Sequence, residues 1–258
     1  MRYEYRLRQV AFVSADLQKI TAQLEAVFGV RASYHDPQVA DYGLINGVFP
    51  VGHDFIEVVQ PVAADASAGR YRERRGGDCG YMVILQTEEA QMHRARLAKM
   101  GVREIEVLDF KNHFCTHFHP ADFAGVLASI DTTKGDPHWR APESDWYPAG
   151  PDWRASKTPE CASLASVTIQ HPDPQAAAAR WALLLGAPQA SADTCVLPLS
   201  GAEIRFVPAQ DSYGAGVVGL DVRMRDPEAA LARAREEWLP VEDGAVRICG
   251  AALRPVPL

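Results

Sequence analysis

The chain has 258 residues, 47% hydrophobic and 23% charged, enough for two ordinary domains that each bury a core. Its formal charge of −7 disfavours a surface for nucleic acid or anionic membrane, because phosphate binding needs a basic face. No apolar run approaches the roughly 20 residues that span a bilayer, and the opening MRYEYRLRQV lacks an apolar signal core, so the expected setting is cytoplasmic.

One pattern recurs four times along the chain: a short apolar strand, a polar cap, an amphipathic helix and then a glycine or a turn. In the first copy RQVAFV leads to Ser14 as cap and to a helix whose Leu17, Ile20, Leu24, Val27 and Phe28 share one face, released by Gly29. The second copy has YMVILQ, Thr87 as cap and a helix through Leu97 and Met100 to Gly101. The third has ASVTIQ, Asp173 followed by Pro174 at the first helical position, Trp181 and Leu184 inward, and Gly186. The fourth has VGLDVRM, Asp226 with Pro227, then Leu231 and Trp238.

Alternating apolar segments bounded by turn residues follow the helices, as in DYGLINGVFPVG then HDFIEVVQP, or TCVLPLSG then AEIRFVPA, and read as antiparallel strands. The predicted fold class is α+β, with four βαβββ units paired into two domains with cupped mixed sheets, residues 1–133 and 161–258. Residues 134–160, rich in proline, glycine and charge, read as a linker without regular structure, whose Trp139, Trp146, Tyr147 and Trp153 are expected to pack across the domains. The cysteines Cys79, Cys115, Cys161, Cys195 and Cys249 form no CxxC pair and are expected to be reduced and mostly buried.

Two stretches carry a family resemblance. RYRERRGGDCGYMVILQ (residues 70–86) resembles the arginine- and glycine-rich lead into a pocket strand of methylmalonyl-CoA epimerases and other glyoxalase-like proteins, the vicinal oxygen chelate superfamily. FCTHFHPADFAGVLASID (residues 114–131) resembles their His-Pro turn before a Gly-Val-Leu strand. The resemblance makes both domains glyoxalase-like and implies a small-molecule ligand held in a cup. In such proteins four inward side chains, one per strand, bind a divalent metal such as Zn, Ni, Co, Mn or Fe. The matching positions here are Gln9, Glu57, Tyr81 and Ser129. Gln9 and Glu57 are accepted ligand types, while neutral Tyr and Ser hydroxyls are poor ones.

The same overlay puts Phe114, Thr116, Phe118 and Ser129 on the substrate face and turns His113, Cys115, His117 and His119 outward. Without metal, Glu57 lies on an apolar strand between Ile56 and Val58, where desolvation favours a proton acceptor, and Tyr81 would donate a hydrogen bond to a developing enolate oxygen. The plain alternative is that these polar groups satisfy one another in the pocket floor. The arginines at 70, 72, 74 and 75 read either as a solvated segment or as a local basic patch. In the second half the four positions fall on Ser166, Arg205, Gly219 and approximately Arg254, which offer no metal set; the two arginines read as holders of a carboxylate or phosphate, as outward solvated groups or as members of intradomain ion pairs.

The expected function is a diverged glyoxalase- or epimerase-type enzyme, a lyase or isomerase acting on a small carbonyl or acyl compound, with Glu57 and Tyr81 catalytic and Gln9 and Glu57 the metal candidates. The rival is a non-catalytic binding protein of the bleomycin-resistance type. An extradiol dioxygenase needs two histidines and a glutamate for iron, and neither half offers them. Either a monomer or a homodimer is compatible with paired units in one chain.

Overall fold

The computed structural model describes residues 4–187 and 195–258. The first strand pattern becomes β1 (Arg6–Val13), buried along its whole length, and leads into α1 (Leu17–Phe28). Asp16, not Ser14, caps this helix by accepting from the Lys19 amide, and Gly29 ends it in the left-handed region at φ 66°. Leu17, Ile20, Leu24, Val27 and Phe28 are its buried residues, so the apolar stripe seen in the sequence is the face that packs. A 3-10 turn at Pro37–Tyr42 precedes β2 (Leu44–Val51) and β3 (Asp54–Pro61), which pair antiparallel from Leu44 with Pro61 to Val51 with Asp54. The arginine-rich lead then forms a short helix, α2 (Ser67–Arg74), which ordinary helix formers without strand alternation favour.

The second unit runs β4 (Cys79–Gln86), α3 (Ala90–Lys99), β5 (Glu104–Asp109), β6 (His113–Phe118) and β7 (Leu127–Thr133). Thr87 does not cap α3. It is buried, its amide donates to the Asp131 carbonyl, and the helix begins after Glu89. These strands form a mixed sheet in the order β2-β3-β1-β4-β7-β6-β5, with β4 and β7 parallel.

Beyond residues 134–160 come β8 (Cys161–His171), α4 (Pro174–Leu185), β9 (Val196–Pro198), β10 (Glu203–Pro208) and β11 (Gly216–Met224). They are followed by α5 (Pro227–Glu236), β12 (Val241–Glu242), β13 (Ala245–Ile248) and β14 (Ala251–Val256). The second sheet has the order β12-β13-β14-β11-β8-β10-β9, so each sheet is centred on the first strands of its two units. Asp173 and Asp226 cap α4 and α5 with proline at the first turn, as their sequence predicts. Thr194, at the start of TCVLPLSG, and the first three residues of the N-terminal stretch lie outside the described residues.

The chain divides into two compact units that each draw on both sheets. One comprises Met1–Gln9, Met82–Tyr147 and Ser166–Val217; the other comprises Val10–Tyr81, Pro148–Ala165 and Val218–Leu258. Within the former, Trp181 of α4 meets the Phe123 ring edge-on at 5.1 Å and donates its indole N–H to the Phe123 carbonyl at 3.0 Å. Within the latter, Arg233 of α5 caps α1 by donating to the Val27 carbonyl at 2.7 Å, a cation at a helix C-terminus. Gly52 has φ 62°, and a Cβ there would lie 1.9 Å from the Ala162 carbonyl oxygen, so only glycine permits this approach.

Residues 134–160 are not an irregular tether. They contain 3-10 turns at Tyr147–Ala149 and Trp153–Ser156, and Trp139, Trp146 and Trp153 are each 1% exposed. All five cysteines are free; Cys79, Cys115, Cys161 and Cys249 are buried and Cys195 is half-buried.

Candidate functional site

Glu57 and Tyr81 belong to one compact unit, Gln9 and Ser129 to the other. In the unit that holds Glu57, the strand pair β2/β3 places Glu57 opposite Val48 and Val59 opposite Asn46, so these four side chains share a face. The Asn46 side chain donates Nδ2–H to Glu57 Oε1 at 2.7 Å. Its amide orientation is forced from the other side, since Asn46 Oδ1 accepts the Asp36 backbone N–H at 2.8 Å.

The floor beside this carboxylate is apolar, built from Val13, Leu44, Val59 and Cys79, with Tyr71 and Tyr81 packed against it. The two tyrosine rings lie 5.4 Å apart, and the Arg74 guanidinium stands 6.0 Å from the Tyr71 ring. Burial, and then the negative charge of Glu57, raise the Tyr81 phenol above its ordinary range. Tyr71 is pushed up to about 12, chiefly by burial. Both phenols are therefore kept protonated at neutral pH, which makes Tyr81 a hydrogen-bond donor close to a carboxylate.

The end of α2 is tied down by Asp78. Its carboxylate accepts from the Ser14 hydroxyl at 2.6 Å, the Ala15 amide at 3.0 Å and Arg72 Nε at 2.6 Å. Ser14, expected as a helix cap, is thus a tether between strand and loop. Burial alone works to raise the Asp78 carboxyl, but the Ser14 and Arg72 hydrogen bonds, the Ala15 amide and the guanidinium charge together hold it below its usual value.

A carboxyl depressed in the folded state contributes stability above its unfolded value, near ~3.9, and that contribution disappears as pH falls through the lower folded value. Asp78→Asn is expected to lower stability at neutral pH by about 1–2 kcal/mol. Thermal unfolding followed from pH 7 towards the acid limit should show the gap between parent and variant starting to close only below about pH 4 and vanishing at still lower pH. A constant gap between them would show that the carboxylate charge contributes nothing.

In the other unit, the antiparallel register of β6 with β7 pairs His113 with Thr133, Cys115 with Asp131 and His117 with Ser129. Directly opposed residues lie on the same face, so Ser129 shares its face with the histidine row. Phe114, Thr116 and Phe118 pair with Thr132, Ile130 and Ala128 on the opposite face. The expected substrate face of Phe114, Thr116, Phe118 and Ser129 therefore does not form, because strand alternation separates Ser129 from the other three. The histidine row, expected to face a helix or solvent, is largely covered: His113 is 1% and Cys115 5% exposed, and His117 is half-buried. His119 stands beyond the strand, where its ring accepts the Ala121 amide at 3.2 Å.

Trp146 stands over this polar face. Its indole donates to Gln9 Oε1 at 2.7 Å and meets the His113 ring edge-on at 5.3 Å. Tyr147 stacks on His113 at 5.7 Å and on Phe110 at 5.1 Å. The preceding segment is strapped to β1 by two buried arginines: Arg6 donates to the Trp139 and Ala141 carbonyls and Arg8 to the Ser144 carbonyl at 2.8 Å. Arg6, Arg8, Asn46, Asp131 and the covering role of Trp146 went unread in the sequence. The signal for the first two was an Arg-x-Arg alternation inside an otherwise apolar strand.

The metal expected from the family resemblance does not fit the donors at the four matched positions. The Gln9 amide oxygen accepts from the Trp146 indole N–H, and Tyr81 is kept protonated. The Ser129 hydroxyl bonds Asp131 Oδ1 and the Thr116 carbonyl. In the second half, Arg205 pairs with Glu203 at 2.6 Å, the ion-pair alternative for that residue, and Arg254 is exposed.

A family model described as a glyoxalase-like domain matches residues 10–185. No curated protein matches the sequence. Among solved structures, the Mn(II)-bound glyoxalase of Novosphingobium aromaticivorans superposes with a TM-score of 0.66 over 99% of this chain and 82% of its own, at 12% identity. Methylmalonyl-CoA epimerase of Mycobacterium tuberculosis gives a TM-score of 0.45 over 49% of this chain and 87% of its own, at 18% identity. The former is a likeness of fold across nearly the whole chain. With two mixed sheets built from repeated strand-helix units and a family model covering more than half of its length, the protein belongs to the glyoxalase-like domain family of the vicinal oxygen chelate superfamily.

Proposed function

We propose that this protein is a glyoxalase- or epimerase-type enzyme that moves a proton next to the carbonyl of a small carbonyl or acyl compound, with Glu57 as acceptor and Tyr81 as oxyanion donor. The observation that carries this reading is the pairing of a carboxylate oriented by Asn46 with a phenol whose protonated form that carboxylate's charge favours. Glu57 takes the proton from carbon, the electrons move onto the carbonyl oxygen, and the Tyr81 O–H stabilises the oxyanion by a hydrogen bond. Return of the proton to carbon regenerates both groups. The neighbouring Arg74 suits a substrate that carries a negative group.

The test is exchange of the proton next to the carbonyl into deuterated water, followed by NMR over short 2-oxo acids, hemithioacetals and acyl thioesters. A substrate found this way should exchange about 10²–10³-fold more slowly with Tyr81→Phe, the range for loss of one oxyanion donor. Equal rates in parent and variant would remove Tyr81 from the chemistry.

A second reading, a non-catalytic small-molecule binder, is favoured by one observation: Gln9 and Ser129 are already engaged with Trp146 and Asp131. Saturable binding of a panel compound without exchange would select it.

A further inference from the structure

On the face of β6 and β7 that Trp146 covers, His113, Cys115 and Asp131 each present one donor atom, all within 4.8 Å of one another. None of these residues belongs to the four positions that the family resemblance assigns to metal. Two lie at i and i+2 on β6, and Asp131 sits directly opposite Cys115 on β7, so strand alternation and register alone bring the trio together. The side chains are 1%, 5% and 3% exposed.

Hydrogen bonding on this face is incomplete. Among the described residues Asp131 bonds His113 Nε2 at 3.0 Å and the Ser129 hydroxyl, and no lysine or arginine. Two further buried acceptor-type atoms, His113 Nδ1 and Gln86 Oε1, have no hydrogen-bond partner among the described residues. Gln86 lies in register with Asp131, on the same face. A carboxylate, a thiol, an imidazole and an orphan amide oxygen thus share one buried face.

We propose that His113, Cys115 and Asp131 form a binding site for a divalent transition metal of the zinc class, separate from the four family positions. One sulfur, one nitrogen and one oxygen donor suit zinc or cobalt rather than magnesium or calcium, which take oxygen shells. Coordination replaces the thiol S–H bond by a sulfur-metal bond and sends the proton to solvent, so thiolate and carboxylate together cancel the dication and leave a neutral buried centre. His117 adds an imidazole whose Nε2 is 4.0 Å from Cys115 Sγ and whose Nδ1 is 3.4 Å from Glu106 Oε2, the carboxylate-imidazole arrangement that orients metal-bound histidines. The site fastens β6 to β7 beneath Trp146, in a different compact unit from Glu57.

The experiment is a titration of the full chain, reduced and freed of metal by chelator, with cobalt(II), both folded and during refolding. We expect a thiolate-to-cobalt charge-transfer band that saturates at one equivalent and is bleached by zinc. Cys115→Ser should abolish the band, and Asp131→Asn should weaken cobalt binding by at least about a hundredfold, more than typical losses of second-shell partners. Glu57→Gln should leave the band unchanged while it alters exchange, so the two assignments fail separately. Absence of the band in the parent after refolding with stoichiometric cobalt, or its persistence in Cys115→Ser, would overturn the proposal. The parent titration decides the matter even if a variant fails to fold.

Discussion

Glu57→Gln is expected to slow exchange of the proton next to the carbonyl by about 10²–10⁴-fold, the usual contribution of a positioned general base. The substitution conserves shape and leaves an amide that still meets Asn46, so the thermal midpoint should stay close to that of the parent. That combination separates chemistry from architecture, because a residue that merely completes a polar floor would lower stability and leave the exchange rate untouched. Parent-like exchange in the variant would take Glu57 out of the mechanism.

Trp146→Ala should cost about 3–5 kcal/mol in urea unfolding, the range for removing a buried large aromatic side chain. Trp146 is 1% exposed, gives its indole N–H to Gln9, meets His113 edge-on, and lies with its ring centre 5.4 Å from the Arg8 guanidinium carbon. Its loss removes packing, one hydrogen bond and a cation-π contact together. Trp146→Phe, which restores most of the volume and none of the hydrogen bond, should recover more than half of the loss. A cost under about 1 kcal/mol for the alanine variant would place residues 134–160 among loosely held surface segments.

The architecture was legible because it rests on periodicity. The stripe on α1, the Asp-Pro starts of α4 and α5 and the β2/β3 alternation all persist in the structure, since each is decided within a dozen residues. Cap positions shifted where tertiary bonds competed: Asp78 claims the Ser14 hydroxyl and the Asp131 carbonyl claims the Thr87 amide, and neither partner is near in sequence. The β6/β7 face was misread for a sharper reason. A shift of one residue in an overlay inverts a strand, and only the pairing of His117 with Ser129 reveals which row lies with Ser129. Gln9, read as a metal candidate, is buried and accepts from the Trp146 indole, a partner 137 positions away in the segment that composition marked as a linker.

Because each compact unit takes strands from both sheets, neither sheet is a self-sufficient building block. Trp181 needs Phe123 from the other half of the chain, and the C-terminus of α1 is capped by Arg233 from α5, more than two hundred residues later. Interlocking of this kind forbids trading one half for a homologue's half without rebuilding two cores at once. It couples sequence change in the second half of the chain to that in the half carrying Glu57, even at positions outside the proposed site.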